Sequence, residues 1–65
     1  MTDWTLEEVL RRALQLEIEN FGEYKRGAEE STIPSMKAMF EFLAGEEKRH
    51  MQIIRDKMAE LKLKE

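Results

Sequence analysis

Apolar residues recur at steps of three and four along two long stretches of this 65-residue chain. In the first, Leu6, Leu10 and Ala13 lead to Glu17, and the stripe resumes with Phe21, Tyr24 and Ala28. In the second, Met36, Phe40 and Leu43 lead to Glu47 and His50, followed by Ile54, Met58 and Leu61. That spacing places side chains on one face of an amphipathic helix. It predicts helices over about residues 5–30 and 34–63 with a turn at 31–33. Both stripes are interrupted near their middles by ionisable side chains.

Local signals agree with these limits. Thr5 and Glu8 form a T-x-x-E capping box, in which each side chain satisfies a backbone N–H at the helix start. Pro34 suits the first turn of the second helix, and Ser31 or Thr32 is expected to cap it. Gly22, Gly27 and Gly45 are soft spots, each costing ~1 kcal/mol against alanine. Trp4 precedes the first cap and is expected to staple the helix start to a neighbour. Leu14, Leu16, Ile18, Phe42, Met51 and Ile53 lie partly off the stripes, and either widen a dimer core or mark a second contact. The five methionines are read as packing material.

Two long helices joined by a short turn form an antiparallel hairpin. Glu17 lies about fifteen residues before the turn, Glu47 about fifteen after it, and His50 slightly further. At a rise of about 1.5 Å per residue, all three stand ~22–26 Å from the turn, at nearly one height. Ionisable groups from both helices thus converge at one level of the core.

Composition narrows what such a hairpin can be. A single domain of residues 1–65 is marginal alone and usually leans on disulfides, metal or self-association. There is no cysteine, which removes disulfides and thiolate metal sites and fits a reducing compartment. The chain is 38% charged with net charge −3, which argues against nucleic acid and anionic membrane as partners. No apolar run is long enough to span a bilayer. No signal peptide is visible at Met1–Trp4, so a cytoplasmic location is expected.

A buried carboxylate must be paired, protonated or metal-bound. Glu47-x-x-His50 sets two donors one helical turn apart, and Glu17 adds a third from the facing helix. Two hairpins about a two-fold axis would offer four carboxylates and two imidazoles, a ligand set for two divalent metals. Periodicity alone does not separate Glu46 from Glu47, because a stripe of Met39, Leu43, Glu46, His50 and Ile53 is equally apolar. Asn20, one turn beyond Glu17, either orients a ligand or is an exposed polar residue. A lone E-x-x-H occurs often by chance on a Glu-rich helix; the match in level with Glu17 gives it weight.

The segment Ala13-Leu14-Gln15-Leu16-Glu17, followed by Phe21 and Tyr24, resembles the first helix of rubrerythrin-type ferritin-like domains. The segment from Phe40 to His50, with Glu47 and His50 at its end, resembles their second helix. The similarity covers roughly residues 6–61. It implies an all-α fold, a ferritin-like half-domain whose antiparallel hairpin dimerises into a four-helix bundle. The ligand pattern of such bundles is a Glu from each of two helices and Glu-x-x-His from each of the other two. It implies Glu17 and His50 as terminal metal ligands and Glu47 as the bridging ligand, and it favours Glu47 over Glu46. Tyr24 matches a tyrosine kept near such sites and is the candidate catalytic residue. Rubrerythrin proper carries two such hairpins in one chain and a cysteine-rich electron-transfer module. This chain has one hairpin and no cysteine, so peroxide reduction would need an external electron donor.

The resemblance and the donor set together point to two Fe ions per dimer, with Mn or Zn also suited to oxygen-rich sites with one imidazole per metal. The expected function is iron oxidation and handling or peroxide reduction, by a di-iron oxidoreductase of ferroxidase or peroxidase type. The expected assembly is a homodimer or a multiple of dimers. Two other classes compete: a metal-free helical dimerisation module, and a static Zn or Mn site that only holds the dimer together.

Overall fold

The computed structural model of the chain describes residues 3–64. Two helices, α1 (Leu6–Glu30) and α2 (Pro34–Glu60), pack side by side as a hairpin. The first begins as its sequence predicts. The Thr5 backbone N–H donates to Glu8 Oε1 at 2.8 Å, and the Glu8 N–H donates to Thr5 Oγ1 at 3.1 Å. These bonds with Thr5 hold the Glu8 carboxyl below its ordinary range.

The turn is built differently from expectation. Neither Ser31 nor Thr32 caps α2; the N-cap is Ile33, which has no side-chain acceptor to offer. Pro34 at the helix start reduces the need for one, since it brings no N–H. Ser31 instead closes α1, its N–H donating to the Gly27 carbonyl at 2.9 Å, while its hydroxyl donates to the Ile33 carbonyl at 3.3 Å. Lys37, in the first turn of α2, donates its Nζ to the Ala28 carbonyl at 2.8 Å. A cation therefore meets the negative end of α1, the end where it is most favourable. The same corner is tight: the Phe40 ring lies on Gly27, so near that a Cβ there would stand 2.8 Å from it.

The second helix stops at Glu60, about three residues short of the end that periodicity predicts. Lys62 turns left-handed at φ 61°, its N–H donates to the Ala59 carbonyl, and the Leu63 N–H donates to the Met58 carbonyl at 2.8 Å. This is a Schellman closure, which folds the apolar residue after the helix back onto its last turn. Leu63 accordingly packs on the core around Met58, which is 1% exposed.

The core of the hairpin is a narrow seam. Leu14, Met51 and Met58 are its buried residues, with Leu10, Phe21, Ile54 and Leu63 packed against them, and Ala28 is buried nearer the turn. Leu14 and Met51, expected at the edge of the stripes, are thus central to it. Leu6, Met36 and Leu61, expected in the stripes, are exposed. Trp4 is exposed as well. Two helices can bury only the line along which they touch.

Backbone substitutions test this packing. Gly22→Ala meets open space and is expected to raise stability by up to ~1 kcal/mol through helix propensity. Gly27→Ala gains the same propensity but collides with Phe40, and its denaturation midpoint should fall instead. Lys62→Gly relieves a left-handed side chain and should stabilise by ~1 kcal/mol in the same melts.

Candidate metal centre

Glu17 sits near the middle of α1, and Glu47 and His50 near the middle of α2. Because the helices are antiparallel about a short turn, the three reach one level. His50 Nδ1 lies 3.5 Å from Glu17 Oε2 and 3.9 Å from Glu47 Oε1. One donor atom from each residue lies within 4.8 Å of the others. Ligands placed about 2.1 Å from a common ion stand roughly 3–3.5 Å apart, so a small contraction would bring these to bonding distance. No other such group of three occurs among the described residues.

Burial grades the three residues. The Glu47 side chain is 13% exposed, that of Glu17 24% and that of His50 47%. Glu47 Oε2 is fully buried and has no hydrogen-bond partner. A buried, unsatisfied carboxylate oxygen is costly, and native proteins rarely leave one without a role. The Glu47 carboxyl is held above its ordinary range, first because the adjacent Glu17 carboxyl favours a proton between them. Burial and the Glu17 charge push the same way, while His50 and Asn20 offset part of the shift. Two carboxylates and an imidazole fit a divalent cation for the same reason they fit poorly together without one.

The choice between Glu46 and Glu47 is made by geometry. The Glu46 carboxylate turns aside to pair with Arg49 on its own helix. Glu47 alone of the two joins Glu17 and His50. Asn20 is exposed, yet close enough to Glu47 to favour its charged form. Tyr24 is not brought into the trio. It is half-buried two turns along α1, about 10 Å from the level of Glu17, and its hydroxyl makes no hydrogen bond among the described residues. The other ring nitrogen of His50, Nε2, likewise has no protein partner among them, and periodicity held no signal for one.

Residues 8–65 match the model of the Rubrerythrin family, nearly the whole chain. Comparison of the chain with curated proteins and with solved structures gives no match.

The crowding of carboxyls makes a prediction about metal-free protein. A carboxyl whose folded pKa is raised takes up protons on folding, so it weakens the fold as pH rises from the unfolded value, about 4.3, through the folded one. In chelator, Glu47→Gln should therefore melt higher than wild type near neutral pH. The difference should shrink on acidification and vanish below about pH 4. A constant difference across the pH series would show that Glu47 is not under this strain.

Proposed function

We propose, since this chain belongs to the rubrerythrin family, that it is a di-metal carboxylate protein whose two iron ions lie between two copies of the hairpin. It acts in iron oxidation and handling or in peroxide reduction. The observation that carries this is the buried Glu47 oxygen without a partner, on a carboxylate grouped within 4.8 Å with a second carboxylate and an imidazole. In each copy Glu17, Glu47 and His50 would hold the metal, the two carboxylates supplying charge and the imidazole a nitrogen donor. Mn or Zn suits the same donors.

Iron held there supplies the change between Fe(II) and Fe(III) that dioxygen or peroxide chemistry requires. The chain supplies the rest. Its carboxylates neutralise the cations, and His50 fixes one nitrogen donor per metal. Leu14, three residues before Glu17, and Met51, four after Glu47, are buried and keep water from the inner side of the site. Tyr24 matches a tyrosine that the family keeps near such sites, but within one hairpin it stands two turns from Glu17, so a role for its hydroxyl would depend on the partner hairpin bringing a site to it. Without cysteine the chain has no cluster of its own to deliver electrons, so a peroxidase cycle draws them from an external donor. No helix among the described residues is long and apolar enough to cross a membrane. A cytoplasmic location is part of the proposal, consistent with the lack of cysteine.

One observation favours a metal-free helical interaction module instead: His50 is nearly half exposed, and exposed acidic groups need no ion. Metal analysis separates the two. Protein loaded with Fe(II) without oxygen should hold about one metal per chain, two per dimer, and should melt higher than in chelator, since a ligand of the folded state raises the midpoint. Glu47→Ala and His50→Ala should each abolish both effects. Metal retained in both variants, or a melt indifferent to chelator, rejects the di-metal assignment. A loaded protein that turns over neither Fe(II) nor peroxide would reduce the site to a structural one.

A further inference from the structure

The hairpin is one layer of helices, 14 Å across its thin dimension, whereas a stable domain packs at least two layers. Its accessible surface is 5161 Å². Folded monomers of this mass expose about 4,300 Å². The excess, roughly 800 Å², is what one partner contributes to a standard stable interface.

The apolar part of that surface is not spread evenly. Successive helical residues turn by about 100°. On α1 this sets Val9 and Leu16 to one side of the seam, and on α2 it sets Met39, Phe42 and Ile53 to one side. Because the helices run antiparallel, both sets fall on the same face of the hairpin. All five are exposed, Phe42 at 60% and Ile53 at 64%. The opposite face carries Arg11, Lys25, Glu29, Glu41 and Lys48, all exposed, with Ile18 its one exposed large apolar side chain among the described residues. His50 stands on the apolar face, between Phe42 and Ile53 along α2, and is itself exposed. The donor trio therefore opens toward that face.

The charges bordering this face do not select a partner of one sign. Glu46 pairs with Arg49, and Lys57 with Glu60 at 3.0 Å, so acidic and basic groups are already matched within the helix. What the face lacks is specific. The trio offers three donors, too few to hold two metals, and a two-fold axis through its level would bring the same three from a second hairpin. Such an axis also makes the face meet itself, as an isologous interface requires.

We propose that a second copy of this chain covers the face of Val9, Leu16, Met39, Phe42 and Ile53, and that pairing of the chains and loading of metal are one linked equilibrium. This rests on the di-metal function proposed above and adds its regulation. Neither hairpin holds the ions alone, so whatever tightens the dimer tightens metal binding by the same factor. Metal occupancy then rises with protein concentration as well as with metal concentration.

The test is sedimentation equilibrium of the full chain over a concentration series, in Mn(II) or in chelator, with bound Mn counted per chain. Wild type should reach twice the 7.7 kDa chain mass, at about tenfold lower concentration with Mn(II) than without. Phe42→Glu and Ile53→Glu keep all three donors and alter only exposed positions, so the helical signal should persist while both pairing and Mn(II) are lost. Ile18→Glu, on the opposite face, should change neither. Face variants that stay monomeric yet bind Mn(II) as wild type does would overturn this inference and leave the metal site standing. A wild-type mass that ignores Mn(II) at every concentration would overturn the linkage. Wild type that pairs but binds no Mn(II) at all would instead overturn the di-metal function itself.

Discussion

Two carboxylates placed side by side inside a small protein are the constraint around which this chain is organised. Glu17 and Glu47 meet where an apolar stripe would otherwise continue, and the Glu47 oxygen that faces inward has no hydrogen bond. Leucine at either position would pack with less cost. The apolar seam of Leu14, Met51 and Met58 around the carboxylates raises the cost of burying them, while burial of those apolar side chains contributes stability that offsets part of it. A divalent cation reverses the sign of the interaction, turning mutual repulsion into shared coordination.

The devices at the ends of the hairpin serve that central level. The register of Glu17 against Glu47 is set by the turn, and the turn is fixed by three contacts. Ser31 closes α1 on Gly27, Lys37 reaches back to the Ala28 carbonyl, and Phe40 lies on Gly27. At the open end, Leu63 folds onto the core around Met58. A slip of one residue would turn a donor by about 100° and out of the trio, so close contacts at both ends help keep the three donors in line.

Much of this was legible in the sequence, and the exceptions have physical causes. The convergence of Glu17, Glu47 and His50 follows from a constant rise per residue and a turn marked by Pro34. The choice of Glu47 over Glu46 does not follow from periodicity, because neighbouring positions straddle the edge of the stripe. The Arg49 guanidinium, one turn from Glu46, draws that carboxylate aside. Periodicity overshoots the end of α2 because Leu61 and Leu63 continue an apolar pattern; Leu63 is packed by a reversal of the chain rather than by another helical turn. Leu14 and Met51 are core because the line along which the helices touch is displaced to their side of the stripes, which leaves Leu6, Met36 and Leu61 on the other side exposed.

The residues that the seam leaves out are as informative as those it takes in. A stripe about as wide as those read from the sequence suits a helix with more than one neighbour. Here each helix has one neighbour, and the unused part of both stripes falls on the face to which the donor trio opens. The site and the surface thus lack the same thing. Three donors would make half of the proposed two-metal ligand set, and one layer of helices would make half of the proposed bundle. On the proposed reading a second hairpin would supply both deficits in a single step, and metal chemistry and assembly would then be bound together in so short a chain.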